Sequence, residues 1–253
     1  MTASLREIKV YTTFPHRCSY LSGEEATTLF VDPRQRISQQ LYTQLSQLGF
    51  RRSGDHVYRP HCANCSACLA SRVRAGDFMA SRSQRRVQKR NADLRVEATS
   101  DIDDDEAYEL YRRYIEGKHP DGDMYPPDRE QYSAFLNDGL GCTHYFRFYA
   151  GDRLVAVTVA DEMLDGLAAV YTFYEPEVEQ RSLGTYAVLF QITEAARRGL
   201  EYVYLGYWIR DCDKMNYKTR FQPLELLIEG QWHRVRSDGT PTTPPGDYIR
   251  LET

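Results

Sequence analysis

The stretch THYFRFYAGDRLVAVTVADEMLDGLAAVYTFY, residues 143–174, decides the fold. It contains three runs that are rich in β-branched, alanine and aromatic residues, at 143–150, 153–161 and 166–174. Gly151-Asp152 separates the first two runs, and Asp165-Gly166 stands before the third. Both dipeptides are typical of tight hairpin turns. The pattern therefore predicts an antiparallel meander of three strands.

A helix and a further strand follow the meander. Residues 186–198 carry apolar side chains at helical spacing, and Gly199 is a good helix terminator. The sequence YVYLGYWI, 202–209, predicts the next strand. Strand meander, turn, helix and strand is the order found in GNAT (acyl-CoA N-acyltransferase-like) folds. We therefore expect an α+β protein whose C-terminal part is a GNAT-like mixed sheet with helices.

The turn between the meander and the helix is similar to a phosphate-binding turn. QRSLGT, 180–185, resembles the Q/R-x-x-G-x-G/A turn of GNAT enzymes, in which backbone N–H groups at a helix start hold a phosphate. Thr185 replaces the final small residue of that pattern. The likeness points to a fold and leaves the substrate open.

The N-terminal part contains a cysteine cluster. Cys62, Cys65 and Cys68 have CxxCxxC spacing, which suits thiolate coordination of zinc or an iron–sulfur cluster, and Cys18 is the candidate fourth ligand. The alternative is a set of reduced, buried thiols that act as small apolar residues. We expect a smaller Cys-containing module over residues 1–75 and a second domain over 76–253, or one compact unit made of both.

Composition excludes several classes of protein. The chain has 253 residues, 42% of them apolar, so it can bury a real core. No apolar run reaches the length of a membrane span, and the first residues lack the apolar region of a signal peptide. The six cysteines do not resemble a disulfide framework. We expect a cytoplasmic protein with no membrane association.

One segment is strongly basic although the formal net charge is −4. In SRSQRRVQKRNADLR, 81–95, the basic residues fall three and four apart, so a helix would carry them on one face. They are Arg82, Arg85, Arg86, Lys89 and Arg90. This face is the candidate phosphate-binding surface. The alternative is a solvated face paired with the acidic run at 101–106.

Two further segments are candidates for a site. GYWIRDCDKMNYKTRFQP, 206–223, follows a strand end and interleaves basic with aromatic residues, which suits a single-stranded RNA end better than duplex readout. The loop at 119–127 contains His119, two aspartates and several backbone breakers. Such a loop either lines a site or is an ordinary connector.

These residues together resemble the bacterial branch of the arginyl-tRNA–protein transferase family, from about residue 13 to residue 225. The matching segments are HRCSYL (16–21), GFRRSG (49–54), YRPHC (58–62), SQRR (83–86), KRN (89–91), DGDMY (121–125), AVYTFY (169–174), GYWI (206–209) and KMNYK (214–218). As a set they are far more specific than any one motif.

The resemblance implies transfer of leucine from leucyl-tRNA to the N-terminal amine of proteins that begin with Asp or Glu, which marks them for N-end-rule degradation. The reaction is aminolysis of an activated ester. It needs positioning, stabilisation of an oxyanion and removal of a proton from the amine. For the reaction centre we expect Tyr207 with Asp161 or Asp211, one of which takes or relays the proton. The alternative for each aspartate is a surface carboxylate.

Binding roles follow from the same resemblance. The acceptor-stem phosphates of the tRNA are assigned to Arg85, Arg86, Lys89 and Arg90, and its 3′ end to Lys214, Tyr217 and Lys218. His119 and Arg72 are the candidates for binding the acidic side chain of the acceptor. The transfer step needs no cofactor, and zinc or an iron–sulfur cluster could be held by Cys18, Cys62, Cys65 and Cys68.

Three alternatives remain open at this point. The donor could be arginyl-tRNA, since the residues alone do not separate leucine from arginine. The protein could be a non-catalytic, metal-dependent tRNA-binding module. It could also be an acetyl-CoA acetyltransferase, on the strength of the QRSLGT turn. The sequence does not indicate an oligomeric state.

Overall fold

The computed structural model describes residues 8–136 and 139–242. Its helices are α1 (Gln39–Gln47), α2 (Arg82–Arg90), α3 (Asp105–Lys118), α4 (Arg129–Leu136), α5 (Leu183–Arg197) and α6 (Asp213–Asn216), with 3-10 turns at Pro176–Arg181 and Tyr217–Arg220. The first seven strands are β1 (Val10–Thr12), β2 (His16–Arg17), β3 (Glu25–Ala26), β4 (Thr28–Val31), β5 (Arg51–Ser53), β6 (His56–Pro60) and β7 (Leu69–Arg74). The others are β8 (Arg95–Thr99), β9 (Thr143–Ala150), β10 (Arg153–Glu162), β11 (Gly166–Tyr174), β12 (Tyr202–Trp208), β13 (Leu224–Ile228) and β14 (Gln231–Val235).

A mixed sheet of eight strands organises the molecule. Its order is β14-β13-β7-β12-β11-β10-β9-β8. The strands β9, β10 and β11 form the predicted antiparallel meander, and β11 and β12 pair in parallel across helix α5. A parallel pair needs such a crossover because the chain must return to the same end of the sheet. The α+β class, with a C-terminal mixed sheet and an N-terminal module, is confirmed.

The N-terminal module is a second, smaller sheet with a helix. It has the order β1-β4-β6-β5, and β2 and β3 form a separate pair. Helix α1 begins after Ser38, whose side chain accepts a hydrogen bond from the N–H of Leu41. Strand β7 precedes residue 75 and yet lies inside the large sheet, between β13 and β12. The division at residue 75 stays a prediction, and residues 1–7 and 243–253 of the two predicted domains lie outside the described part.

Apolar side chains fill the space between the large sheet and its helices. Leu110 and Ile115 of α3 pack with Val157 and Phe173 of the meander. Helix α5 contributes to a second cluster with β12 and β13. Truncating a buried leucine of this kind to alanine typically costs about 2–5 kcal/mol. The two clusters hold α3 against the meander and α5 against β12 and β13.

Within residues 8–136 and 139–242, no helix combines the length and the apolar character needed to cross a membrane.

Candidate active site

The two parallel strands of the large sheet separate and leave a cavity. β11 and β12 pair only where residues 166–168 face residues 202–204, although both strands continue beyond this point. Gly206 has a φ of 77° and stands at a register shift between β12 and β7. A bulge of this kind bends a strand. The resulting cavity has a volume of about 830 Å³.

Elements that are distant in sequence form the walls of this cavity. The N-terminal module contributes Tyr20, Arg51 and Tyr58, and the start of α2 contributes Ser81 and Gln84. The turn before α5 contributes Ser182, Gly184 and Thr185, and the chain after β12 contributes residues between 214 and 221. The cavity therefore depends on the N-terminal module and the large sheet together.

The charge of the wall has one sign. Its ionisable cations are Arg51, Arg52, Lys214, Lys218 and Arg220, and the described wall contains no aspartate or glutamate. Lys214 and Arg220 are exposed, whereas Lys218 is buried. Such a cavity favours an anionic ligand, and a low-dielectric wall strengthens the attraction.

Lys218 carries a buried amine in the cavity wall. The residue is only 4% exposed, and its Nζ donates a hydrogen bond to the carbonyl of Tyr207. Burial, with the positive charge of Arg51 adding to it, lowers the pKa of Lys218 to about 7. An amine with this pKa changes charge near neutral pH, which an ordinary lysine does not do.

The predicted phosphate-binding turn lies at the cavity. Ser182 has a φ of 53°, in the left-handed region, and α5 begins at the next residue. A Cβ atom on Gly184 would lie 3.2 Å from the Tyr174 ring, so a side chain there would crowd that ring. The first N–H groups of a helix lack partners within it, and they suit an anion.

Tyrosine rings form another part of the wall. Tyr114, Tyr171, Tyr174 and Tyr217 all line the cavity, and the rings of Tyr114 and Tyr174 lie 4.9 Å apart between centroids. Burial raises the pKa of Tyr114 and of Tyr217, so both phenols stay protonated at neutral pH. Aromatic faces of this kind stack with nucleic-acid bases.

Four of the predicted site residues line the cavity. They are Lys214, Tyr217, Lys218 and Tyr207. The hydroxyl of Tyr207 donates to the carbonyl of Gly49 at 2.9 Å, so the backbone uses it. His119 lies beside the wall, with Nε2 3.1 Å from the hydroxyl of Tyr114.

The environment of His119 favours its neutral form. Burial lowers the pKa of His119, and the positive charges of Lys214 and Lys118 lower it further. A neutral imidazole can donate or accept a hydrogen bond but does not supply a fixed cation. Its predicted role in binding the acceptor therefore lacks the charge on which that role was based.

Asp161 and Arg72 are committed to other partners, which corrects their predicted placement. The carboxylate of Asp161 is fully buried and accepts hydrogen bonds from Arg52, Thr143 and Tyr42. Arg72 pairs with Glu225 at 2.7 Å, and its guanidinium lies over the ring of Tyr202. Neither residue is part of the described cavity wall. Contacts with chain segments that are remote in sequence account for both placements.

Asp211 also lies away from the wall. It follows β12 in an exposed turn and is absent from the described lining of the cavity. The predicted proton-acceptor role of either aspartate therefore has no support in this geometry. Lys218, predicted from the sequence to bind tRNA, is the cavity residue whose charge changes near neutral pH.

The basic segment forms a helix next to the cavity. Ser81 and Gln84 make a reciprocal capping box at the start of α2, and the Gln84 side chain donates to the carbonyl of Arg220 at 2.9 Å. The predicted phosphate-binding side chains lie on exposed residues of this helix: Arg85, Arg86, Lys89 and Arg90.

The acidic run at 101–106 does not neutralise this helix. Asp103 and Asp105 pair with Arg129, and Asp104 and Glu106 pair with Arg147. The alternative interpretation of α2, as a face paired with the acidic run, is therefore wrong. Its exposed cations form a positive face on a helix that also contributes Ser83, Gln84 and Val87 to the cavity wall.

The predicted metal ligands are free thiols that lie near one another. The N–H groups of Tyr20 and Leu21 both approach Cys18 Sγ at 3.4 Å. Burial, followed by the effects of Cys18, Cys62 and Cys65, raises the pKa of the Cys68 thiol to about 12. Thiolates are suitable donors for a soft metal ion. However, no three cysteine, histidine or acidic side chains of the described residues converge into a metal-binding group, so the zinc or iron–sulfur site stays a prediction.

Arg51 is a cavity residue that was not predicted from the sequence. It precedes Arg52 in β5, and neighbouring residues of a strand point to opposite faces. Arg52 pairs with Asp161, whereas Arg51 packs beside the rings of Tyr204 and Tyr207. The feature of the sequence that could have indicated Arg51 is the pair of adjacent arginines in a short strand. Their side chains point to opposite faces, so only one of them can pair with Asp161.

Two models of one protein family match the N-terminal and C-terminal parts of the chain. A family model described as "Arginine-tRNA-protein transferase, N terminus" matches residues 16–86. A second model, "Arginine-tRNA-protein transferase, C terminus", matches residues 106–228. The first model includes the cysteines and most of α2, and the second includes the meander and the chain after β12.

Curated relatives match over nearly their whole length. The chain is 57% identical to the "Aspartate/glutamate leucyltransferase" of Pseudomonas putida over 228 residues, which is 90% of this chain and 97% of the relative. Proteins of the same name from Pseudomonas entomophila and Pseudomonas aeruginosa are 56% and 55% identical over the same shares.

Two solved structures are more distant. FemX has a TM-score of 0.46 and 10% identity, over 83% of this chain and 82% of that one. L-PGS from Bacillus licheniformis has a TM-score of 0.46 and 9% identity, over 81% and 70%.

Proposed function

The chain belongs to the arginine-tRNA–protein transferase family, and from this premise we propose that it transfers leucine from leucyl-tRNA to proteins that begin with aspartate or glutamate. The family resemblance drawn from the sequence is confirmed, and the chain is an aminoacyltransferase. Its product, a protein with a new N-terminal leucine, would be marked for N-end-rule degradation. The proposed site of action is the cytoplasm, where the six free thiols would remain reduced.

The charge of the cavity wall carries this proposal. Both substrates are anionic at the points that must enter: the tRNA at its phosphates and the acceptor at its side-chain carboxylate. Of the wall's five basic side chains, Arg52 is paired with Asp161 and Lys218 is partly neutral near pH 7, so Arg51, Lys214 and Arg220 supply the positive charge, and the described wall contains no carboxylate. Helix α2, which reaches the cavity through Ser83, Gln84 and Val87, carries a further face of exposed basic side chains, and a surface of that kind suits the acceptor stem.

The same wall favours leucine over arginine as the donor amino acid. A buried guanidinium requires an anionic partner or several carbonyl acceptors, because burying an unpaired charge is costly. The described wall supplies cations, tyrosines, apolar residues and uncharged serine, threonine and glutamine side chains, and no carboxylate. The relatives that bear the name leucyltransferase support the same choice.

The geometry accommodates aminolysis of the tRNA ester. The tyrosine rings can stack with the bases at the 3′ end, and the start of α5 can hold a phosphate. Beyond residue 168, the edge of β11 leaves its pairing with β12, so its N–H groups can stabilise the oxyanion of the tetrahedral intermediate. The amine attacks the ester carbonyl and gives up a proton, the bond between the carbonyl carbon and the 3′ oxygen breaks, and that oxygen takes up a proton and leaves as the 3′ hydroxyl of the tRNA.

Lys218 is the proposed proton acceptor. Its neutral form is populated near pH 7 because burial and Arg51 lower its pKa, and it is part of the cavity wall. A Lys218→Arg variant keeps its proton at neutral pH. It should lose transfer while it still binds leucyl-tRNA; transfer at the parent rate would contradict this role.

A panel of charged tRNAs tests the function. Purified protein is incubated with leucyl-, arginyl- or methionyl-tRNA and with a reporter peptide that begins with Asp, Glu or Ala. We expect label only from leucyl-tRNA and only on the Asp and Glu peptides. Transfer from arginyl-tRNA instead would establish the arginine donor. Binding of tRNA with no transfer from any donor would favour the non-catalytic module.

The acetyl-CoA alternative is tested with the same preparation. The QRSLGT turn does lie at the cavity, and it could hold a pyrophosphate. The cationic and aromatic wall after β12 has no role in that reaction. Thermal stabilisation by leucyl-tRNA and not by acetyl-CoA is the expected result, and the reverse would favour an acetyltransferase.

A further inference from the structure

Arg51 is a buried cation in the cavity wall. It is only 7% exposed, and it lines the cavity from strand β5 of the N-terminal module. The ion pairs formed among the described residues include its neighbour Arg52 with Asp161 but none with Arg51. A guanidinium keeps its charge at any pH that a folded protein experiences. The wall therefore contains a permanent buried charge without a carboxylate partner in the described part of the chain.

One edge of this guanidinium is left without hydrogen bonds. Nη1 donates to the carbonyl of Ser46 at 3.3 Å and to the carbonyl of Phe50 at 2.5 Å. Nε and Nη2 are buried and have no hydrogen-bond partner among the residues that the structure describes. Buried donors are nearly always satisfied, and an unsatisfied one on a charged group is costly. The two carbonyls thus fix the orientation of a side chain whose opposite edge is buried and lacks hydrogen-bond partners among the described residues.

Nε and Nη2 form the edge with which arginine binds a carboxylate at two points. The neighbouring residue provides an example within the same strand. Arg52 donates from Nε to Asp161 Oδ2 at 2.6 Å and from Nη2 to Asp161 Oδ1 at 2.7 Å. The unsatisfied edge of Arg51 consists of the same two atoms, and it matches the two oxygens of one carboxylate.

The surroundings of Arg51 favour a carboxylate over a phosphate of the tRNA. The rings of Tyr204 and Tyr207 flank its Cζ atom at 5.4 and 5.6 Å. A phosphodiester continues into the chain on both sides and needs an open groove, which the exposed Lys214 and Arg220 offer. A short side chain that ends in a carboxylate can enter an enclosed position.

We propose that Arg51 binds the side-chain carboxylate of the N-terminal aspartate or glutamate of the acceptor protein. This assignment rests on the proposed function and deepens it, because it names the residue that sets acceptor specificity. It replaces His119 and Arg72, the candidates that the sequence suggested. The acceptor carboxylate would complete the hydrogen bonds of Nε and Nη2, and its α-amine would then be held at a fixed distance from the anchored side chain.

The test compares acidic acceptors with their amides. Values of kcat/KM for leucine transfer are measured with peptides that begin with Asp, Asn, Glu or Gln, for the parent and for Arg51→Gln. We expect the ratio of Asp to Asn, and of Glu to Gln, to fall by about 10- to 100-fold in the variant, the usual effect of losing a two-point bond to a charged group. The KM for leucyl-tRNA should change little. An unchanged ratio in a folded variant would overturn the assignment.

Further variants keep the result decisive. Arg51→Lys retains the charge but not the two-point edge, so its ratios should lie between those of the parent and Arg51→Gln; if Arg51→Gln does not fold, Arg51→Lys decides by the same comparison. Arg197→Gln removes an exposed arginine of α5 and should keep the parent's ratios. If the parent transfers nothing from any donor, the proposed function fails as well, whereas transfer with an unchanged ratio removes only the role of Arg51.

Discussion

Arg52 and Asp161 are joined by two hydrogen bonds of 2.6 and 2.7 Å, although 109 residues separate them in the chain. Both side chains are fully buried. Arg52 belongs to the small N-terminal sheet and Asp161 to the central meander. This pair therefore holds the N-terminal sheet against the meander behind the cavity wall, and it is a structural contact in a place where the sequence suggested catalysis.

Removing one member of this pair should destabilise the protein strongly. Asp161→Asn leaves the buried guanidinium of Arg52 without its charge partner, and the loss of one partner of a buried ion pair typically costs about 3–5 kcal/mol. Urea unfolding measures the change in the free energy of unfolding. Arg197→Gln, which removes an exposed arginine whose partner Glu194 also pairs with Arg198, is the control and should cost less than about 1 kcal/mol. Equal losses in the free energy of unfolding for the two substitutions would show that the buried pair does not stabilise the fold more than an ordinary surface contact.

Lys218 should make the stability of the protein depend on pH in the alkaline range. The folded protein releases the proton of Lys218 at about pH 7, whereas the ordinary value is 10.5. Between these values the unfolded chain holds a proton that the folded chain has lost, so stability falls as the pH is lowered from 10.5 to 7. Below pH 7 both forms are protonated and the penalty is complete.

The variant Lys218→Met removes this dependence. Relative to the parent, its free energy of unfolding should rise as the pH is lowered from about 10 to 7 and then stay level. Urea unfolding at a series of pH values gives the comparison. Parallel curves for the parent and the variant would mean that Lys218 keeps an ordinary pKa in the fold.

The basic face of α2 should contribute to tRNA binding through phosphate contacts. Arg86→Gln combined with Lys89→Gln removes two exposed cations. The plot of log affinity against log salt concentration should lose about 0.7–0.9 of slope for each phosphate contact removed. Filter binding or anisotropy with leucyl-tRNA provides the measurement, with Arg197→Gln as the matched control. A variant with the parent's slope would place the acceptor stem elsewhere.

The cysteine cluster should matter more for stability or redox response than for transfer itself. Cys65→Ser is expected to lower the melting temperature, or to uncouple activity from oxidation, and to change the transfer rate much less. Melting curves and rates before and after mild oxidation give the comparison, together with the zinc and iron content of the parent. A folded variant with serine at Cys18, Cys62, Cys65 and Cys68 that matched the parent in both respects would identify these thiols as ordinary buried residues.

The local sequence pattern predicted the individual strands and helices better than it predicted how they are arranged. The three runs at 143–174 became β9, β10 and β11 nearly at their predicted ends, because alternation and turn dipeptides act between neighbours. The place of β7 between β13 and β12 depends on pairing across more than a hundred residues. No local signal specifies such a neighbour.

The same distinction applies to the site. Lys214, Tyr217 and Lys218 are close in sequence and follow a strand end, so they were found together, and they do line the cavity. Asp161 and Arg72 were misplaced because their partners, Arg52 and Glu225, come from remote segments. Arg51 was missed because its significance lies in two hydrogen bonds that it does not make, and a sequence does not show an unsatisfied donor.

Mass analysis of a single reaction shows whether leucine is transferred to an acidic N-terminus. A peptide that begins with aspartate is incubated with the protein and leucyl-tRNA, and its N-terminal residue is determined by fragmentation. We expect a peptide extended by one leucine at the α-amine, and no extension of the matching asparagine peptide under the same conditions. An unmodified aspartate peptide, recovered while leucyl-tRNA remains charged and bound to the folded protein, would contradict the proposed function.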